Sequence, residues 1–545
     1  MDAFLIVAVL GLLVIAAAAA LAPKIGVANP LLLVVLGFAV SLVPAVPEIV
    51  VEPEWILAGV LPPLLYSASV SMPSMDFRRE FTAIGGLSVV LVVLSSLVLG
   101  VFFWWVIPDL SLPWAIALGA IVSPTDAVAT SIVKRLGVAP RVVTMLEGES
   151  LLNDATALVL LRSAIAGAAA SVSLWSVVGS FVFSVVVASV IGVIVGMLNL
   201  AVRSRVTDST VNTVISFTIP FIAAVPAELL GASGLVAAVV AGLVTGAGAA
   251  AKLSPQHRLS ESQNWHTIEL LLEGAVFLIM GLELTKVVGD VVDDHGGIVP
   301  ALLTTAGALV ITVLVRAAYV GPLVLSMRRR AERKERMRPK IDKVTQRLAE
   351  PGAAEAFIAA RGARGPRTAG ALERFTARLR RMSADLDFFL SRPVGWREGT
   401  VVVWAGMRGV VTLAAAQTLP ENTPSRSTLI FIAFVVAAAS LVLQGGTLGA
   451  VIRGVRPHVE DPADAAEERR RLRELVDEAA STVPRTDGDG LPAAGYALKV
   501  IDAQRAALLA ARTDGLFTSQ SLNSALEVLD ADQIRLELRG AATER

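Results

Sequence analysis

The sequence predicts an all-α polytopic membrane protein of about 13 transmembrane helices, arranged as inverted six-helix repeats with two unwound crossing helices, plus a small cytoplasmic helical tail. Three observations carry that prediction: an apolar composition, loops whose charge alternates along the chain, and polar breaks at corresponding places in two apolar runs. The 545 residues are 54% hydrophobic and 17% charged, and the mean hydropathy is +0.68. That is more apolar than a soluble chain of this length needs to build its core. Net charge is zero and there is no cysteine, which excludes disulfides and thiolate metal sites. Histidines at 257, 266, 295 and 458 are too scattered to suggest a metal centre.

A bilayer core about 30 Å thick needs roughly 20 apolar residues per helix. On that measure the candidate spans are approximately 3–22, 29–47, 55–72, 83–107, 113–133, 144–168, 175–202, 209–230, 233–250, 265–285, 298–326, 398–419 and 427–452. Residues 3–22 end in small residues, as a signal peptide would. No Lys or Arg precedes them, so they are read as the first membrane helix. The loops test the count, because Lys and Arg mark the cytoplasmic side. Odd-numbered spans are followed by Lys24, Arg78 and Arg79, Lys134 with Arg135 and Arg141, Arg203 and Arg205, Lys252 and Arg258, Arg328 to Arg330, and Arg453 with Arg456. Even-numbered spans are followed by EIVVEPE, PDLSLP, SVSL, PAELLGAS, DVVDDHGG and PENTPSR, with Arg426 the one basic residue. This places the N-terminus outside and the C-terminus in the cytoplasm. The membrane domain runs over 1–457 with a basic loop at 327–397 suited to anionic headgroups or simply solvated, and the tail over 458–545. TDGDG at 486–490 lacks the spacing of a calcium loop.

Two spans are broken. In PWAIALGAIVSPTDAVATSIV, Pro124 removes a backbone donor beside Ser123, Thr125 and Asp126. In TVVVWAGMRGVVTLAAAQTLP, Gly406 and Gly409 flank Arg408. If spans 1–6 and 8–13 are two copies, these are the fifth span of each, entering from opposite sides, and interrupted helices so placed point to a midplane transport site. The sixth span, GESLLNDATALVLL, adds Ser150 and Asp154 on one stripe and Glu149 and Asn153 on the next. A buried carboxylate costs roughly 2.5 to 3.5 kcal/mol at mid-membrane, so it needs a compensating role. Arg408 is the expected partner of Glu149, holding Asn153 as well. That leaves Asp154 and Asp126 with nearby hydroxyls as an oxygen-rich site for a monovalent cation. Asp126 alone fits a helix-end carboxylate equally well, and Glu149 alone fits a helix cap. Arg162 and Arg316 also lie in apolar runs and are assigned no transport role. Glu273 and Glu283, flanking GAVFLIMGL, stand open between packing and pathway.

LPPLLYSAS at 61–69, SPTDAVAT at 123–130, EGESLLNDATALVL at 147–160 and AGMRGVVTLAAA at 405–416 occur in this order. With them the first 455 residues or so resemble the monovalent cation:proton antiporter superfamily, in its sodium/proton exchanger branch, of the bacterial electroneutral type. The resemblance implies a homodimer with a mobile core that carries its ion by an elevator-like displacement. It also implies Asp154 as the ion- and proton-binding aspartate, Ser150, Thr125 and Asp126 around the ion, and Asn153, Glu149 and Arg408 as a structural polar cluster. The Asn153–Asp154 pair is similar to the electroneutral branch, whereas electrogenic relatives carry two aspartates. Ser67 stands where related exchangers often carry an acid, which leaves K+ or Li+ beside Na+ as the substrate.

Burial disfavours a charged carboxylate, so at Asp154 a proton and a cation compete for the same oxygens. Either ligand neutralises the site enough to cross while the empty charged site does not, and exchange is 1:1. The expected partners are therefore Na+ (or K+ or Li+), H+, membrane lipid and a second copy of the chain, in the plasma membrane. No cofactor, nucleic acid or enzymatic reaction is expected. The competing class is a non-exchanging cation channel or sensor, although no filter-like motif is present.

Overall fold

The computed structural model describes residues 2–43, 52–169, 174–293, 298–336, 338–339, 369–459, 462–484 and 493–543. His295, most of EIVVEPE and of the middle of the basic loop, and TDGDG lie outside the described residues. Every regular element described is helical, in keeping with the demand that backbone polar groups in hydrocarbon bond within their own segment.

In chain order the helices of the first part are α1 (Asp2–Ile25), α2 (Asn29–Ser41), α3 (Leu61–Ser71) entered through a π-helical turn at Trp55–Val60, and α4 (Ser74–Gly85), which continues through a second π-helical turn at Gly86–Leu91 into α5 (Val92–Val106). Next come α6 (Leu112–Val122), α7 (Val128–Arg135), α8 (Pro140–Ala169), α9 (Leu174–Arg203), α10 (Ser209–Leu229), α11 (Gly234–Lys252), α12 (Pro255–Asp293) and α13 (Ile298–Glu335). After α14 (Ala369–Ser391) follow α15 (Trp396–Trp404), α16 (Val410–Gln417), α17 (Arg426–Ser440) and α18 (Gly446–Val455), with a π-helical turn at Leu441–Gly445 between the last two. The tail forms α19 (Pro462–Ser481), α20 (Ala493–Asp514) and α21 (Ser519–Thr543).

Among the described residues, eight helices are long and apolar enough to cross a membrane, and three further apolar helices are shorter. Caps set several boundaries. Asp208 accepts from Val211 N–H at the start of α10, and Ser233 accepts from Val236 N–H at the start of α11. Between them α10 ends at Leu229 and Gly231 takes a φ of 73°, so the chain breaks near residue 230 rather than running on as one helix.

The chain divides into two compact units, 1–321 with 397–457 and 322–396 with 458–545. In the first, α6 buries Ala115, Ala117, Gly119 and Ala120, small residues that let α5 and α8 approach closely. A core of Tyr66, Leu151, Ala237, Val239, Ala241 and Trp265 joins α3, α8, α11 and α12. The outward residues of α1 and α9 are apolar, including Leu13, Val186 and Ile194, as a lipid-facing surface requires. In the second unit α20 packs against α14, α19 and α21. The second unit thus takes in the described helix α14 as well as the three tail helices.

Candidate functional site

The two helix interruptions meet. α6 stops at Val122 and α7 resumes at Val128, while α15 stops at Trp404 and α16 resumes at Val410. Asp126 N–H donates to Met407 carbonyl oxygen at 2.7 Å, a backbone bond that ties one break to the other. Pro124 contributes to the first break because it supplies no N–H to the helix; Ser123 before it keeps helical dihedrals, φ −70° and ψ −41°. At the second, Gly409 has a φ of −126°, which suits any residue, so its demand is for space. A Cβ there would fall on the Asp126 carboxylate. Gly406 is similarly flush, with a would-be Cβ 2.7 Å from Arg316 Cδ.

Freed backbone groups find side chains. Arg408 donates its backbone N–H to Ser440 Oγ at 2.9 Å and its Nε–H to Val122 carbonyl oxygen at 2.9 Å, and Nη1 reaches Gly406 carbonyl oxygen. Its guanidinium thus satisfies carbonyls that the broken helices leave open. Asp126 Oδ1 accepts from Val128 N–H at 3.0 Å, capping α7.

Glu149, 2% exposed on α8, is gripped by Arg316 of α13. Arg316 Nη2 donates to Oε2 at 2.8 Å and Nη1 to Oε1, while Nε donates to Val402 carbonyl oxygen at 2.9 Å. The expected Glu149–Arg408 pairing is therefore corrected: the partner is Arg316, a residue to which the sequence reading gave no role. An intramembrane arginine is costly unless paired, and that was the signal pointing to it. Sequence periodicity carried no information on which of two arginines, 92 residues apart, folds back against α8.

Asn153 is not held by Arg408 either. Its Nδ2 donates to Thr125 carbonyl oxygen at 2.9 Å and to Thr125 Oγ1 at 2.8 Å, and the Thr125 hydroxyl in turn donates to Glu149 Oε1 at 3.0 Å. A chain Asn153, Thr125, Glu149, Arg316 thus fastens the broken segment to α8 and α13. Asp154, one residue on and 8% exposed, stands outside this chain. Its carboxylate makes no hydrogen bond among the described residues and lies in the field of Asp126. Ser150, one turn before it, donates to Glu147 carbonyl oxygen at 3.1 Å and so leaves its lone pairs available.

The remaining acids also find places. Glu273 on α12 lies in the field of Asp126, so the structure brings it toward the crossing. Glu283 accepts from Gln417 Nε2 at 2.5 Å, linking α12 to α16. Ser67 on α3 faces Glu269 of α12. Arg162 is 66% exposed and paired at 3.9 Å with Glu228, away from the crossing.

A helical bundle in which two broken helices meet beside a buried carboxylate has the architecture of a secondary carrier. The comparisons agree: the profile described as "Sodium/hydrogen exchanger, transmembrane" matches residues 9–362 and 376–454, and the chain belongs to that family. It is a secondary active sodium/proton antiporter, a transporter rather than an enzyme. An uncharacterized Na+/H+ exchanger of Mycobacterium tuberculosis is 28% identical over 452 residues, 81% of this chain and 72% of that protein. A sodium, potassium, lithium and rubidium/H+ antiporter of Bacillus subtilis is 32% identical over 275 residues, 49% of this chain and 41% of that one. The sodium proton antiporter MjNhaP1 from Methanocaldococcus jannaschii shares the fold, with a TM-score of 0.57, 15% identity, and coverage of 84% of this chain and 99% of the other.

Proposed function

We propose that the chain exchanges one monovalent cation, Na+ in the first instance, for one proton, without net charge movement and by elevator-type alternating access. The observation that carries this reading is Asp154, a buried carboxylate with no hydrogen-bond partner among the described residues, placed beside Asp126 where the two broken helices meet. Asp154 takes either the proton or the cation, with Ser150, Thr125 and Asp126 supplying further oxygens. Asn153, Glu149, Arg316 and Arg408 hold the frame. One site that accepts one proton or one monovalent cation gives 1:1 exchange, and the empty charged site is too costly to move.

Thirteen crossings in inverted six-helix repeats, N-terminus outside and C-terminus in the cytoplasm, belong to the same reading. It is supported by helix in each of the thirteen intervals and by interruption of the fifth and twelfth of them. So do a membrane domain over 1–457 with a tail over 458–545, a location in the plasma membrane, and a homodimer. Ser67 and the broad cation range named for the Bacillus relative make K+/H+ or Li+/H+ exchange the second reading. The test is proton movement in proteoliposomes, followed with a pH-sensitive dye as Na+, K+ or Li+ is added with the membrane potential clamped. A cation-dependent pH change that Asp154→Asn abolishes is the expected result. Flux without a counter-gradient, or exchange that survives the substitution, overturns the mechanism.

A further inference from the structure

Helix α12 turns two unlike stripes to its neighbours. On one, Gly274, Gly281 and Thr285 recur at helical spacing and abut α1 and α2: Gly274 lies against Ile15, Gly281 against Val34, and Thr285 hydrogen-bonds Ser41. The opposite stripe carries Trp265, Glu269, Glu273 and Glu283. Trp265 meets Tyr66 of α3 with ring centroids 5.4 Å apart, Glu269 faces Ser67 of α3, and Glu283 accepts from Gln417 of α16. The stripe is thus held to α3 at one end and to α16 at the other. Glu273 lies between, level with the crossing.

The three acids on this stripe have unlike surroundings. Glu269 has the basic groups His266 and Lys134 near it, and Glu283 has the Gln417 amide. Glu273 has neither: its charged neighbours are the acids Asp126 and Glu269, and it makes no hydrogen bond or ion pair among the described residues. An acid held among acids in an apolar span is unfavourable unless a cation compensates it. Asp126 is the neighbour that Glu273 and Asp154 share. Exposure falls along the three, since Glu273 and Asp126 are half-buried and Asp154 is 8% exposed. The carboxylates are not alone in lacking a donor. Asn153 Oδ1 is fully buried and without a hydrogen-bond partner among the described residues, although Nδ2 makes two bonds. Acceptor oxygens around the crossing therefore exceed the donors that the described chain supplies, and a cation is the partner that fits them.

We propose that Glu273 is a further cation-binding residue of the carrier: its carboxylate takes the monovalent cation together with Asp126 at the mouth of the site and passes it inward to Asp154. Glu273 comes from α12, whereas Asp126 stands at the α6–α7 break and Asp154 on α8. Oxygens from separate helices let the ion exchange its hydration shell in steps. Glu273 ends each cycle in the state in which it began, so 1:1 exchange is unaltered. The inference rests on the carrier site proposed above.

The test is a Na+ titration of dye-reported exchange in proteoliposomes of wild type, Glu273→Gln and Glu273→Asp. Beside it, the same purified proteins are melted as NaCl replaces choline chloride at constant ionic strength. Glu273→Gln should raise the KM for Na+ about tenfold, the loss of one charge-assisted contact, with a smaller change in kcat. The Na+ concentration giving half of the melting shift should rise by a similar factor. Glu273→Asp keeps the charge but withdraws it, so a rise of about threefold is expected. Removing a carboxylate from among acids should leave the melting temperature without Na+ equal or higher. A packing role predicts the reverse, a lower melting temperature and an unchanged KM. Unchanged KM and unchanged half-saturating Na+ overturn the proposal, and Glu273→Asp decides by the same two measurements if Glu273→Gln does not fold. Wild-type liposomes with no cation-driven pH change, or exchange that survives Asp154→Asn, would sink the exchange reading instead. The Na+-dependent melting shift would still decide whether Glu273 binds the cation.

Discussion

Asp154 and Glu149 sit five residues apart on one helix and are treated oppositely by the fold. Glu149 is saturated by Arg316 and Thr125, whereas Asp154 keeps its oxygens free of hydrogen bonds among the described residues. The first is built to stay charged and still, the second to exchange ligands. Asp154→Asn is expected to abolish cation-driven pH change while melting close to wild type, checked by dye flux and thermal unfolding on the same preparation. Arg316→Ala leaves Glu149 buried and alone, which should destabilise by about 3 to 5 kcal/mol. Adding Glu149→Gln should recover part of that loss, and a double variant no more stable than Arg316→Ala would contradict the pairing. Arg408→Ala should harm the crossing through unsatisfied carbonyls at Val122 and Gly406 rather than through Glu149.

At the scale of elements, the breaks in the α6–α7 and α15–α16 pairs work because one backbone passes against the other. The Asp126 N–H to Met407 bond requires the chain at Gly409 to lie flat beside the Asp126 carboxylate. Gly409→Ala should displace that carboxylate and cost most of the exchange activity. Gly446→Ala, at a glycine with nothing within 4 Å of a would-be Cβ, should leave activity unchanged. Similar losses in both variants would show that the space at Gly409 is not specific to the site. Proline and paired glycines made the breaks readable in the sequence, because each removes or loosens a defined hydrogen bond. The choice of bonding partner was not readable, since Ser440, Val402 and Val122 look like ordinary apolar-span residues until they are brought alongside.

Across the whole molecule, the alternation of basic and acidic loops predicts which ends of the helices face the cytoplasm. The chain has no cysteine, so single cysteines can be introduced into the natural background. An impermeant thiol reagent outside cells should label a cysteine at Asp109 and not one at Arg329, and labelling both or neither would refute the topology. Several of the arginines counted toward that rule do more than mark a side: Arg141 pairs with Glu80 at 2.6 Å, and Arg203 with Glu261, both buried. Truncation after residue 457 should retain cation-driven exchange but lower thermal stability, because α14 would lose its contact with α20.

Composition, loop charge and helix-breaking residues are local quantities, and they sufficed for the all-helical membrane class and the two interruptions. Those features depend on one residue's solvation or on neighbours three or four positions away. Pairings between distant helices depend on how the chain closes in three dimensions. The tertiary structure alone therefore decided that Arg316 rather than Arg408 neutralises Glu149, that Thr125 rather than an arginine holds Asn153, and that Glu273 of α12 comes into the field of Asp126.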